Sequence, residues 1–137
     1  MGTSTELTPV SEWLVLGSLP LLDRTVGRWT HNGFPCEADF APREGEAFNG
    51  AKWFRYESPH GRIENHDPAF PYAHRWWCVS YACTYIHSPT AQKLRLFLGS
   101  DNGVVVWLNG REVHRIEACG RGVGLARDVV PVMLARG

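Results

Sequence analysis

The segment Leu98–His114 carries two Asn-Gly pairs, Asn102-Gly103 and Asn109-Gly110, each set between β-branched and apolar residues. Asn-Gly tolerates positive φ at both central positions of a turn, which a two-residue hairpin loop of type I′ requires. The segment therefore reads as strand, turn, strand, turn, strand, and it predicts an antiparallel β protein.

Patterning elsewhere agrees. The 14 glycines and 9 prolines are spread along the chain, and no stretch longer than about a dozen residues keeps a 3.6-residue apolar period. Ser11–Gly17 reads as a first strand, ended by Gly17 and Pro20. Residues 21–50 read as loop, with a helical turn near Leu21–Val26 and turn signals at Asn32-Gly33, Pro35, Pro42 and Asn49-Gly50. Ala51–Glu57 has aromatic strand character, residues 58–74 form a polar loop, and Trp76–His87 is the longest strand candidate. In Lys93–Leu98, Leu94, Leu96 and Leu98 share one face, with Arg95 and Phe97 on the other. Val104, Val106 and Leu108 are expected inward, leaving Val105 and Trp107 outward. In Arg111–Glu117, alternation puts Val113 on one face and Glu112 and His114 on the other. After a Gly-rich connection at Arg121–Leu125, Asp128–Leu134 is a last, apolar strand, where Pro131 marks an edge or a bulge. Seven or so short, closely spaced strands describe an all-β antiparallel sandwich of jelly-roll type, a single domain over residues 1–137.

Composition excludes several functions. Lys plus Arg equals Asp plus Glu at 14 each, so no basic stripe awaits a phosphate backbone and nucleic acid is not an expected partner. No apolar run approaches the length of a transmembrane helix, and no membrane partner is expected. Met1–Glu6 has neither the basic start nor the apolar stretch of a signal peptide. The chain is thus either kept inside a cell or a module of a longer exported protein, extracellular or periplasmic. The four cysteines, Cys36, Cys78, Cys83 and Cys119, form no CxxC pair and read as buried thiols.

Several stretches resemble one family. Trp13-Leu14-Val15-Leu16-Gly17-Ser18-Leu19-Pro20 is similar to the opening strand of galactose-binding-like β-sandwich modules, which accompany bacterial polysaccharide-active or exported enzymes. Tyr81–Pro89, the hairpin Ser100–Gly110 and Val129–Leu134 are similar to later strands of the same modules, and PA14-like sugar-binding domains share the hairpin. The resemblance implies a non-catalytic carbohydrate-binding or accessory module with a shallow, weak site for a polysaccharide or oligosaccharide. The chain departs from the pattern twice. Asp101-Asn102 stands where the family often has two aspartates, and the closing strand expected after Leu134 is missing. An absent strand leaves backbone groups unpaired, which predicts self-association through an open sheet edge.

Sugar C–H faces pack on aromatic rings, so Trp107, Trp77, Tyr72 and Trp29, with Phe70, are the candidate platform. Trp13, Trp53 and one of the adjacent pair Trp76 and Trp77 are expected in the core. Asp101 and Asn102 are candidate ligands for sugar hydroxyls or for calcium, although one carboxylate is a poor calcium site and no resident cofactor is expected. Arg111, with Arg115, Arg121 and Arg127, can clamp an acidic sugar or form a solvated face with Glu112, Glu117 and Asp128. His60, His66, Asp67 and His74 are the candidate metal ligands, and a small metal-dependent enzyme built on them is a further alternative. Their spacing matches no compact metal motif.

Overall fold

A computed structural model describes residues 7–21, 37–64, 78–117, 124 and 127–137. The described residues are antiparallel strands and turns, with a single turn of 3₁₀-helix at Glu37–Asp39. The all-β class read from turn chemistry is therefore the observed one. No helix among the described residues is long and apolar enough to cross a membrane. The predicted helical turn near Leu21–Val26 lies, apart from Leu21, outside the described residues. The chain divides into two compact units, Met1–Pro20 with Ala41–Thr84 and Leu21–Phe40 with Tyr85–Gly137.

The first unit is organised by β1 (Glu12–Pro20), which lies between β4 (Phe54–Glu57) and β5 (Cys78–Cys83). Flanked by a strand on each side, β1 has backbone partners along both of its edges. Val15, Leu16 and Leu19 are buried. Trp13 pairs with Tyr56 and Val15 with Phe54, and with Ile63 they form one apolar cluster. The Phe54 and Tyr56 rings meet edge to face at 6.5 Å. On the opposite face Glu12 and Glu57 stand directly across from each other, a repulsive pairing. Arg55 offsets it, reaching Glu12 at 3.3 Å and Glu57 at 3.7 Å.

Three boundaries differ from expectation, each for a physical reason. The first strand does not stop at Gly17. It continues to Pro20 with a register shift between Leu16 and Leu19, because β5 keeps supplying backbone partners. The strand read as Trp76–His87 ends at Cys83, because β1 begins at Glu12 and offers little backbone beyond. There Thr84 Oγ1 donates to the Glu12 carbonyl at 2.9 Å, and Tyr85 and Ile86 are exposed. The stretch read as loop up to residue 50 contains a hairpin of β2 (Ala47–Phe48) and β3 (Ala51–Lys52). Its corner is Asn49-Gly50, with φ of 49° and 82°. Trp53 extends this hairpin, donating its N–H to the Glu46 carbonyl and accepting from the Gly45 N–H. Its side chain is only 3% exposed, as expected for a core tryptophan.

Among the described residues the second unit holds two two-stranded ladders. β6 (Gln92–Leu98) pairs with β9 (Asp128–Leu134) in unbroken register from Gln92–Leu134 to Leu98–Asp128. Val130, Val132 and Leu134 are buried beside the half-buried Leu94, Leu96 and Leu98, while Val129, Pro131 and Met133 are exposed. Pro131 causes no bulge, and among the described residues β9 pairs with β6 alone. β7 (Val104–Leu108) and β8 (Arg111–Ile116) form the second ladder.

The two Asn-Gly pairs of this region behave differently. Asn109 and Gly110 both have positive φ, 50° and 77°, and close the β7–β8 hairpin. At the other pair only Asn102 is positive, at 67°. The Gly99–Gly103 connection leads from β6 into a different ladder instead of folding β7 back onto it. The first corner of the expected three-stranded meander is therefore not a hairpin.

Gly17 is the tightest backbone approach in the first unit. A Cβ there would lie 2.5 Å from Ser80 Oγ and 2.9 Å from Ser80 Cβ. Ser80 Oγ is buried and has no hydrogen-bond partner among the described residues. Overpacking of this kind costs roughly 1–3 kcal/mol. Gly17→Ala is expected to lose about that much stability in urea unfolding, and Gly17→Ala/Ser80→Gly is expected to recover part of it.

Candidate functional site

The site forms on one face of the β7–β8 hairpin, and an irregularity in β8 makes it. Val106 pairs with His114 but Trp107 pairs with Glu112, so the register skips Val113. An extra residue in one strand of an antiparallel pair is a β-bulge, and it shifts the alternation beyond it. Cross-strand partners share a face. Trp107 with Glu112 and Val105 with Arg115 therefore lie on one side. Val104 with Ile116 and Val106 with His114 lie on the other.

Strict alternation had put Glu112 and His114 together. The bulge separates them and brings Glu112 to the face of Arg115. Arg115 Nε donates to Glu112 Oε1 at 3.0 Å, and Arg115 Nη2 donates to the same oxygen. Arg115 Nη1 lies 3.6 Å from Glu117. The result is a tryptophan beside a carboxylate–guanidinium–carboxylate row. Hydrogen bonding from Arg115 to Glu112 raises the guanidinium pKa above its already high value, so Arg115 stays a cation at any physiological pH.

Trp107 is half-buried, as is every residue of β7, so the expected split into inward and outward faces is blurred. Part of the indole surface thus stays open to solvent on the face that Glu112 shares.

The other predicted site residues are not gathered here. Asp101 and Asn102 are exposed before β7, and Ser100 Oγ donates to the Asn102 carbonyl at 2.9 Å, closing the local turn. Arg111 is exposed at the opposite end of the hairpin, where it pairs with Leu108 and so faces away from Trp107. The strand between these ends spans about 13 Å at ~3.3 Å per residue. Asp101 and Asn102 thus do not converge with Arg111 on one ligand.

Trp29, Tyr72 and Trp77, with Phe70, lie outside the described residues, as do His66, Asp67 and His74. His60 is exposed in the loop after β4. Among the described residues no three His, Cys, Asp or Glu side chains come together as a metal site.

Two further polar groups emerge from the fold. His114 Nε2 lies 3.3 Å from Asp128 Oδ2, with side chains 21% and 13% exposed. His114 Nε2 is buried and has no hydrogen-bond partner among the described residues. The Asp128 partnership is not legible in the sequence, because alternation relates His114 only to residues of its own strand. Cys78, at the start of β5, is a thiol whose pKa is pushed up by burial, partly offset by a hydrogen bond with Ser18. A thiol so shifted is protonated at neutral pH and is not an activated nucleophile.

The Glu112–Arg115 pair is partly exposed, and such pairs contribute about 0.5 kcal/mol. A double-mutant cycle of Glu112→Gln and Arg115→Met is expected to give a coupling of roughly that size, declining with salt. A coupling of zero at low salt would mean that the bulge does not bring the two side chains together.

No known family, curated protein or solved structure matches this chain.

Proposed function

We propose that this chain is a non-catalytic carbohydrate-binding module of jelly-roll β-sandwich type, and that it binds through the Trp107 face of the β7–β8 hairpin. The observation that carries this reading is the cross-strand placement of Trp107 against Glu112, whose carboxylate Arg115 holds in place. An indole ring offers the apolar surface that a pyranose C–H face packs against. Glu112 and Glu117 accept hydrogen bonds from sugar hydroxyls, and Arg115 keeps both carboxylates oriented before the ligand arrives. With few polar groups on an open surface, affinity is weak, on the order of millimolar to high micromolar. The resemblance of the strand and hairpin motifs to galactose-binding-like modules supports the same reading.

The test is native affinity electrophoresis through gels cast with soluble polysaccharides, neutral and acidic. At least one is expected to retard the protein. Trp107→Ala is expected to abolish the retardation and Glu112→Gln to reduce it several-fold, with circular dichroism unchanged. Mobility unaffected by every polysaccharide, or a Trp107→Ala variant retarded like the parent, refutes the proposal.

One observation favours a second reading, self-association without sugar binding. Among the described residues β6 and β9 pair only with each other, so each leaves an edge able to template another strand. Sedimentation velocity across a hundredfold concentration range separates the two. Assembly with no polysaccharide retention supports the edge, and a monomer throughout removes it.

A further inference from the structure

The outward face of the β6–β9 ladder is divided lengthwise. Register places Lys93 against Met133, Arg95 against Pro131 and Phe97 against Val129. The β6 side thus presents two cations in succession, ending on Phe97. The β9 side presents three apolar residues, of which Val129 is 47% and Met133 54% exposed. A shallow groove of about 540 Å³ follows the ladder, lined by Lys93, Leu94, Arg95, Pro131, Val132 and Met133. The guanidinium of Arg95 lies 5.6 Å from the Phe97 ring centroid, which steadies it above the sheet. The only carboxylate in either strand is Asp128, which register places on the opposite face with Leu98 and which contacts His114. Among the described residues, neither Lys93 nor Arg95 has a carboxylate partner.

We infer that this face docks an amphipathic helix of another protein that carries a row of carboxylates beside an apolar stripe. The argument is charge complementarity joined to dimensions. Lys93 and Arg95, two residues apart on a strand, are separated by about 6.7 Å. Carboxylates at i and i+4 on a helix are separated by about 6 Å along its axis, so successive acids on one helix edge meet successive cations. A helix about 10 Å across covers both strands of the ladder, and its apolar stripe then falls on Val129, Pro131 and Met133. A second copy of this chain is a poor occupant, because two such faces would bring four cations together. A membrane is the weaker fit, since two cations and three modest apolar side chains give only marginal attachment. The inference is independent of the sugar-binding proposal, because Trp107 lies on the other ladder.

The experiment is fluorescence anisotropy with the full chain and a labelled 18-residue synthetic helical peptide bearing Glu at i, i+4, i+7 and i+11 beside a leucine stripe. Control peptides carry Lys for Glu, or Gln for Leu, and vesicles with and without phosphatidylserine form a further arm. The acidic amphipathic peptide is expected to saturate, with affinity falling as salt rises. Lys93→Glu/Arg95→Glu is expected to weaken it at least fivefold and Met133→Gln two- to threefold, with circular dichroism unchanged. Trp107→Ala is expected to leave it intact. No saturation up to 1 mM, equal binding of the Lys-bearing peptide, or binding to phosphatidylserine vesicles alone would overturn the inference.

Discussion

The chemistry of this chain depends on the one residue by which β8 exceeds its partner strand. In a regular antiparallel pair, side chains three positions apart on a strand project to opposite faces. Glu112 and Arg115 are three apart, yet they share a face, because the register passes over Val113. Without that shift Trp107 would have no oriented carboxylate beside it, and His114 would not lie on the face of Val104 and Val106. The bulge is held from one end by the Asn109-Gly110 corner, whose two left-handed residues fix where pairing starts. A tight corner and a single extra residue together decide which side chains meet.

The first unit shows a different use of the same backbone rules. β1 is covered on both sides, and its neighbours satisfy its peptide groups. Val15, Leu16 and Leu19 are buried along it, and Gly17 approaches Ser80 where any side chain would collide. The exposed face beside β4 is governed by charge instead. The ladder register sets Glu12 against Glu57, and Arg55 lies within reach of both, so one cation offsets the repulsion of two anions.

The class and much of the β6–β9 ladder were legible in the sequence, because period-two alternation reports burial directly. Leu94, Leu96 and Leu98 follow from it, while the core place of Trp53 follows from the size and apolarity of its ring. What alternation does not encode is partnership. Asn49-Gly50 and Asn102-Gly103 carry the same dipeptide, yet the first closes a hairpin and the second leads into a separate ladder. The difference lies in which distant strand competes for pairing, and β6 takes β9 rather than β7. The bulge was hidden for a related reason. Nothing local in Arg111–Ile116 marks Val113 as unpaired, so Glu112 was grouped with His114 instead of Arg115. The sequence names Trp107, Arg115, Glu112 and Glu117 separately but does not reveal that they share a face, and Asp101 and Asn102 lie at the other end of the hairpin from Arg111.

Pro131 has a consequence beyond the native state. Val129-Val130-Pro131-Val132-Met133-Leu134 is a six-residue stretch without charge, apolar throughout and half valine. An uncharged, apolar stretch of this length with no proline can stack into cross-β fibrils when an unfolded chain exposes it. The imide ring supplies no N–H, so a growing fibril would meet a missing rung at every copy of this segment. The native ladder accommodates it in unbroken register, while a misassembled stack would repeat the defect without limit.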